Sequence, residues 1–197
     1  MTKHTALLSA CAALALLSGC SLLDPRQDPT RFFVLSPEAQ ADAASAAGDA
    51  EKTLIALGPV RLPDYLLRPE LVRRSGPNQL EPSRVDRWGE PLDRAVSRVL
   101  CLDVAALLPN SQVVPFPAPA GEKPALQIEI DVTAFEADRA GATRLEARWR
   151  WRSGTRSVAR AGTFERAAGS GETAAAVSAM SALLAELAQS IAADLGG

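Results

Sequence analysis

Residues 126–133 read LQIEIDVT, in which apolar and polar side chains alternate with a period of two. This period is typical of a β-strand with one buried face, because successive side chains of a strand point to opposite sides of a sheet. Phe135 breaks the alternation, which predicts a bulge or a bend. Residues 145–152, LEARWRWR, alternate in the same way, and a turn at 153–155 leads into a last strand over about 156–165.

Short apolar runs and turn residues predict further strands earlier in the chain. Gly58 and Pro59 interrupt one of them, and residues 75–78, SGPN, predict the turn of a hairpin. The interval 37–51 is rich in alanine and lacks apolar periodicity. We interpret it as an exposed loop, with a helix in its middle as the alternative. The short strands are expected at 31–35, 53–57, 71–74, 79–81 and 111–116.

Two helices complete the predicted fold. The first opens at Pro91, which has no N–H to lose in a first turn, and Pro109 stops it. The second follows the GSG sequence at 169–171 and runs to about Leu195, with apolar residues at alternating spacings of three and four. The prediction is an α+β fold: a mainly antiparallel or mixed β-sheet with the mid-chain and C-terminal helices packed on one face.

Two residues of the first helix carry reactive groups. Asp103 falls near the middle of the apolar face, where an unpaired carboxylate would be costly. A hydrogen bond to a neighbouring strand or loop is therefore favoured over a role as a catalytic acid. Cys101 projects to the opposite side of the helix, near Arg94 and Arg98. It is interpreted as a surface or subunit-contact thiol, because no base is available to make it a nucleophile.

Arginines alternate with apolar residues along 144–152 and form a ladder on one side of that strand. One interpretation is a binding face for phosphate-bearing molecules. The favoured one is a solvated sheet face, paired with acidic residues of neighbouring strands. The ladder consists of Arg144, Arg148, Arg150 and Arg152, and the expected acidic partners are Glu129, Asp131 and Glu165.

The N-terminus has the organisation of a bacterial lipoprotein signal. Lys3 precedes an apolar run at 6–17, which is shorter than the roughly 20 residues that span a bilayer. The run ends in a stretch that resembles the lipobox, at which a cysteine thiol is acylated and the preceding peptide removed. An ordinary signal peptide with a cysteine near its end is the alternative. The lipobox residues are Leu17, Ser18, Gly19 and Cys20.

This signal predicts the domain organisation. We expect a signal peptide at 1–19, a lipidated tether at 20–30 and a periplasmic α+β domain at 31–197. The tether reaches at most ~35 Å when extended and roughly 18 Å as a flexible coil. Ser21 rather than aspartate follows the acylated cysteine, which under the enterobacterial sorting rule predicts the outer membrane, periplasmic face, with inner-membrane retention as the alternative.

The composition of the expected mature chain excludes several kinds of catalytic and binding site. Its single histidine, His4, leaves with the signal, so no Ser-His-Asp or Cys-His pair and no imidazole metal site can form. Cys101 is the one thiol left beside the acylated Cys20, which excludes an internal disulfide. Without Lys3, 20 basic residues face 23 acidic ones, and no nucleic-acid partner is indicated. We predict no catalytic, cofactor-binding or metal-binding residues.

Several segments in order resemble the ABC-type transport auxiliary lipoprotein family, which includes the paraquat-inducible protein C lipoproteins. The most specific of them are LPDYL at 62–66 and WGEPL at 88–92. The other matching segments are RFFVL at 31–35, GPVR at 58–61, RP at 68–69, LV at 71–72, GPN at 76–78 and the strand at 126–135.

The resemblance implies a non-catalytic, lipid-anchored auxiliary component of an ABC/MCE-type intermembrane lipid transport system. Such a protein would dock a periplasmic conduit, an MCE-domain protein, at the outer membrane. The resemblance also implies that identical copies of the auxiliary protein form a homo-oligomeric ring. ATP hydrolysis would belong to a partner, because the chain has no GxxxxGK[ST] phosphate loop. Tyr65 and Trp88 are candidate partner contacts, since both residue types favour interfaces. Packing of either ring into its own core is the alternative.

Two other functions compete with docking. One is a lipid- or solute-binding periplasmic lipoprotein that carries cargo in its own pocket, with Trp149 and Trp151 as one wall. The other is an envelope hydrolase that uses a pair of carboxylates. No recognisable pair of this kind stands on a predicted rigid frame, so the hydrolase is disfavoured.

Overall fold

The computed structural model describes residues 28–39 and 52–196, and these form a mixed sheet with two long helices. Helix α1 is Leu92–Leu107 and helix α2 is Thr173–Gly196, and a single 3-10 turn covers Asp64–Leu66. The predicted α+β class is confirmed. The strands are β1 Arg31–Phe33, β2 Thr53–Arg61, β3 Glu70–Gly76, β4 Gln79–Trp88, β5 Ser111–Pro115, β6 Leu126–Asp138, β7 Ala142–Ser153 and β8 Arg156–Ala167.

Strand β6 has three neighbouring strands. It pairs in parallel with β2 along its first half and with β3 at its end, and antiparallel with β7 along nearly its whole length. The register places Ile130 opposite Trp149, so the apolar sides of β6 and β7 face the same way. A shift of register between Val132 and Ala134 confirms the bulge that Phe135 predicted.

The remaining strands extend the sheet from these neighbours. Strand β5 pairs with β2 in parallel, and β8 pairs with β7 in antiparallel orientation. On the other branch, β4 pairs antiparallel with β3, and β1 pairs in parallel with β4. The eight described strands thus form one sheet that branches at β6.

Both helices bury apolar faces as their periodicity predicts. In α1 the spacing of three and four places Leu92, Val96, Val99 and Leu100 against the sheet, with Pro91 at the cap. Helix α1 contacts β2, β5 and α2, whereas α2 contacts β6, β7 and β8. Side chains of α2 such as Leu184 reach the centre of the core.

Helix α2 is long and apolar enough to cross a membrane by length and composition alone. However, 67% of its most apolar window is buried inside the domain. Because a membrane span needs a lipid-facing surface and this surface is already covered by the sheet and α1, we describe α2 as a core helix.

Two strand boundaries differ from their predictions. Strand β2 continues through Gly58 and Pro59 with only a register shift, because its pairing with β6 resumes at Val60. Strand β4 runs on to Trp88 instead of ending at Glu81, because its last residues pair with β1. The predicted signal peptide, the lipobox and most of the tether and of the alanine-rich interval lie outside the described residues.

Candidate docking surface

An apolar groove runs along α1 on the side that faces the ends of β2 and β5. Its volume is about 780 Å³. Leu102 and Phe116 stand on its rim with 49% and 45% of their surfaces exposed, which is unusual for large apolar side chains. The groove is lined by Pro59, Val60, Asp93, Arg94, Ser97, Arg98, Cys101, Leu102, Ala105, Val113, Pro115 and Phe116.

Two arginines and one aspartate stand on the rim. Arg98 donates hydrogen bonds to the Leu35 carbonyl and to the carboxylate of Glu90, so its guanidinium is held in place. Arg94 is exposed and makes no ion pair with any residue in the described ranges. Asp93 lies beside it on the same rim. The groove therefore combines an apolar floor with a guanidinium group that is open to an anionic partner.

Cys101 forms part of the floor of the groove, and its predicted place at the surface is wrong. Only 9% of the residue is exposed, and it belongs to the apolar core cluster. Burial raises the pKa of its thiol to about 11. The side of α1 opposite the predicted apolar face is not open to solvent at this point, because β2 and β5 flank it. The thiol is therefore a poor nucleophile.

The side chain of Asp103 accepts hydrogen bonds from the segment that follows β1. Its Oδ1 accepts hydrogen bonds from the backbone N–H groups of Glu38 and Ala39, at 3.0 and 2.9 Å, which confirms the predicted bond to a neighbouring loop. Burial raises the pKa of this carboxyl group, and the two backbone bonds only partly oppose the shift. Its Oδ2 has no hydrogen-bond partner within residues 28–39 and 52–196. The side chain is fully buried, so it cannot reach a substrate in solvent.

Tyr65, a predicted partner contact, takes part in a polar network over the outer face of the sheet. Its hydroxyl donates a 2.8 Å hydrogen bond to Oε2 of Glu136, whose Oε1 accepts from Nε of Arg74 at 2.8 Å. The backbone N–H of Phe135 also donates to Glu136. Burial, followed by the bond to Glu136, raises the pKa of Tyr65 well above its usual range. The ring is half-buried, so part of it remains available to a partner.

Trp88, the second predicted contact, lies in the core with 8% of its surface exposed. The position of the Trp88 ring thus fits the alternative interpretation, in which it packs into its own domain. Contact of Tyr65 or Trp88 with a partner stays a prediction, and Tyr65 has more accessible surface to support it.

The arginine ladder on β7 is a solvated face, though its pairing differs in part from the prediction. Arg144 pairs with Glu165 and Arg152 with Glu129, as expected. Asp131 pairs with Arg61 of β2 instead of with β7. Arg148 and Arg150 therefore make no ion pair with another described residue, although Asp131 and Glu129 lie opposite them in the register.

The tryptophans proposed as a pocket wall are core residues instead. Trp149 and Trp151 are 6% and 5% exposed, and Nε1 of Trp149 donates to Asp194 of α2 at 2.9 Å. Trp149 and Trp151 therefore do not form the wall of a cargo pocket, as the hypothesis of a lipid or solute carrier required. Within the described ranges, no group of three or more Asp, Glu, Cys or His side chains could hold a metal ion.

The fold and the groove define the class of protein: an α+β domain with an apolar groove, open at its surface, that can receive another molecule. A family model described as the ABC-type transport auxiliary lipoprotein component matches residues 33–192. The chain belongs to this family, and the resemblance noted from the sequence is confirmed. The family is described as an auxiliary component of transport.

Solved structures share the fold. A crystal structure of an uncharacterized protein is 19% identical, with a TM-score of 0.70 over 84% of this chain and 98% of that chain. Protein XCC0632 from Xanthomonas campestris is 18% identical, with a TM-score of 0.64 over 83% of this chain and 93% of that chain. A comparison with curated proteins finds no significant match.

Proposed function

We propose that the chain is a non-catalytic, lipid-anchored auxiliary component that docks an MCE-domain conduit protein of an ABC-type intermembrane lipid transport system. The observation that carries this proposal is the apolar groove beside α1, in a chain whose family is named for transport. The groove brings two exposed large apolar side chains together beside charged residues, an arrangement that favours a binding site.

The groove fits an apolar segment of the conduit that carries an acidic side chain. Leu102 and Phe116 offer apolar surface on opposite walls, one from α1 and one from the end of β5. Arg94 offers a guanidinium with no acidic partner among the described residues, so a carboxylate in the docking segment would form an ion pair with it. The guanidinium of Arg94 and the apolar lining together favour an apolar segment that carries a carboxylate.

The membrane attachment belongs to the same proposal. Acylation of Cys20 would anchor the domain through the tether at 20–30, at the periplasmic face of the outer membrane. Two or more acyl chains make such attachment effectively permanent. A ring of identical subunits around the conduit is part of the proposal. In the described sheet β5 and β8 each pair on one side only, which leaves strand edges for a neighbouring subunit.

Site-specific crosslinking in cells tests the docking surface. A photoreactive amino acid in place of Leu102, in the full-length lipidated chain, is expected to capture an MCE-domain protein identified by mass spectrometry. The matched control places the same group at Ala161, an exposed residue of β8. The same product from both positions, or no envelope transport protein from Leu102, contradicts the proposal.

Charge reversal tests the assigned occupant. Arg94→Glu is expected to lower co-purification of the conduit by about tenfold or more, because it replaces an attraction with a repulsion. Arg150→Glu, which reverses another exposed arginine outside the groove, is expected to leave co-purification unchanged. Equal effects of the two substitutions would show that net charge, and not the groove, determines binding.

A carrier of lipid or solute is the alternative function, and the groove is the feature that favours it. Its volume falls within the range of small-molecule sites, yet it is an open groove rather than an enclosed cavity. Native mass spectrometry of the intact chain separates the functions. A stoichiometric lipid that Leu102→Glu removes would support cargo binding over docking.

A further inference from the structure

We infer that a second apolar surface, formed by Phe32, Val34 and Leu67, rests on the lipid bilayer and sets the orientation of the domain. We call this surface the β1 corner. These side chains are 68%, 55% and 50% exposed. The described residues contain five exposed large apolar side chains, of which the groove holds the other two. The exposed apolar surface is thus concentrated in two places.

Phe32 and Val34 share the outer face of the sheet at its β1 edge, and Leu67 precedes β3, two strands away. Phe32 pairs with Arg87 of β4, which in turn lies opposite Glu70 of β3. Neighbouring strands are about 4.8 Å apart, so Phe32 and Glu70 are about 10 Å from each other. Leu67 comes three residues before Glu70, at the start of β3.

The alternation along β1 explains why these side chains point outward. Phe33 packs partly against the core and Leu35 is 1% exposed, so Phe32 and Val34 take the opposite direction. Val34 lies beside Gly89, whose N–H donates to the carbonyl of Phe33 at 2.8 Å. The backbone of the corner is therefore fixed, and the apolar side chains are presented on a rigid support.

Charged side chains of both signs lie on the same face between Phe32 and the start of β3. Nε of Arg68 donates to Glu70 at 3.1 Å, and Arg87 lies 3.7 Å from the other oxygen of the same carboxylate. Two guanidinium groups thus share one acid. Long arginine side chains can keep their charged heads at the headgroups while apolar neighbours enter the acyl boundary, which is the arrangement that an interfacial contact requires.

The position of the corner in the chain identifies the bilayer as its occupant. Strand β1 is the first folded element after the proposed anchor, and Phe32 lies twelve residues beyond Cys20. Twelve residues span at most about 40 Å, and roughly 19 Å as a flexible coil. An acylated Cys20 would therefore keep Phe32 close to the membrane surface at a high effective concentration. The inference rests on this part of the proposed function.

Quenching by brominated lipid tests the inference in the full lipidated chain. The chain is reconstituted in phosphatidylcholine vesicles with and without brominated acyl chains, as the variants Phe32→Trp and Ser157→Trp. Ser157 is an exposed residue of β8, five strand positions from β1 and so about 24 Å away across the sheet. The native tryptophans, Trp88, Trp149 and Trp151, are buried and provide the same background in both variants.

Bromine is expected to quench the added emission of Phe32→Trp by about twofold or more, because interfacial residues enter the acyl boundary by about 5–10 Å. The emission of Ser157→Trp is expected to stay within error of the unbrominated control. Leu67→Trp, a second reporter on the corner, is expected to follow Phe32→Trp. Quenching at neither corner position, in protein that floats with the vesicles, overturns the inference.

Flotation and intact mass separate the two proposals. If Cys20 carries no acyl chains or the protein fails to float, the proposed anchor is wrong. If the protein is acylated and floats but both corner reporters remain unquenched, the anchor stands and the β1 corner does not touch lipid. Crosslinking of the corner to a second copy of the chain, without quenching, would also overturn the inference.

Discussion

Oγ1 of Thr173 donates a 2.6 Å hydrogen bond to Oδ2 of Asp86, joining the first residue of α2 to β4 across 87 positions of sequence. Arg31 donates to the other oxygen of the same carboxylate at 2.7 Å, and Arg73 donates to Oγ1 of Thr173 at 3.0 Å. Burial by itself raises the pKa of Asp86. The bonds from Thr173 and Arg31 outweigh it and hold the pKa below its ordinary value.

Thr173→Val keeps the shape of the side chain and removes the hydroxyl from this network. We expect a loss of about 1–3 kcal/mol in the free energy of unfolding at pH 7, because a buried carboxylate loses a donor and Arg73 loses an acceptor. Since the pKa of Asp86 is lowered by folding, its contribution is present above about pH 3.8 and is lost as the pH falls through the folded value.

Denaturant unfolding at pH 7 and near pH 2, well below the ordinary carboxyl pKa of 3.8, measures this difference. Thr163→Val is the matched control, because Thr163 is exposed on β8. It is expected to change stability by less than about 0.5 kcal/mol at both pH values. A loss for Thr173→Val that is equally large at both pH values would contradict the assigned linkage to Asp86.

Asp103 is expected to give the opposite dependence on pH. Burial raises its pKa, so the folded chain takes up a proton before the unfolded chain does, and stability falls as the pH rises above about 3.8. Asp103→Asn removes this titration, so its stability relative to the parent is expected to improve as the pH rises above about 3.8 and to level off once the pH passes the folded pKa. Denaturant unfolding across this range measures the slope.

Asp103→Ala separates charge from hydrogen bonding at the same position. It leaves the N–H groups of Glu38 and Ala39 without their acceptor, and we expect it to be about 1–3 kcal/mol less stable than Asp103→Asn, by an amount that varies little with pH because neither variant titrates. If alanine and asparagine behave alike, the carboxylate oxygen does not hold the segment after β1.

Gly141, in the turn between β6 and β7, is expected to tolerate no side chain. Its φ is +91°, and a Cβ there would stand 2.2 Å from the carbonyl oxygen of Ser170. Gly141→Ala must therefore displace the backbone before α2, with an expected cost of roughly 3 kcal/mol or more from strain and overlap. Thermal and denaturant unfolding both report the loss.

Gly154 supplies the matched control in the turn between β7 and β8. It also has a positive φ, +57°, but a Cβ there would meet nothing within 4 Å. Gly154→Ala is expected to lower the free energy of unfolding by about 1–2 kcal/mol, which is the cost of the left-handed backbone conformation alone. Equal losses for the two substitutions would mean that the contact with Ser170 does not matter.

Cys101 is expected to react slowly with thiol reagents in the folded chain. At pH 8 a thiol with a pKa of about 11 is almost wholly protonated, and its burial also blocks access. Alkylation by iodoacetamide, followed at the Cys101 peptide by mass spectrometry, is expected to accelerate by two orders of magnitude or more in denaturant. Rapid labelling without denaturant would show that the floor of the groove opens in solution.

The strands and helices with clear periodicity could be predicted from the sequence, but their arrangement could not. Residues 126–133 and 145–152 alternate because each strand buries one face, and this pattern is local. That β6 also pairs in parallel with β2 and β3 depends on contacts between distant segments, which no local pattern encodes. The extension of β4 to Trp88 depends in the same way on β1.

The same distinction between local pattern and distant contact applies to the residues of the site. Asp103 could be assigned a hydrogen-bonding role because a carboxylate on an apolar helix face must find donors. Cys101 could not be placed, because a helical wheel does not show that β2 and β5 cover the second side of α1. Leu102, an apolar residue on the expected polar side of α1, was the available signal for the groove.

The branching of the sheet at β6 also bears on the order in which the chain can assemble. Strands β2 and β5 form one piece and β1, β3 and β4 another, and β6 is the strand to which both pieces attach. It begins at residue 126 of 197, so a ribosome has made nearly two-thirds of the polypeptide before the two pieces can unite. Because of this late closure, the pairings between distant strands cannot form until most of the polypeptide has been made.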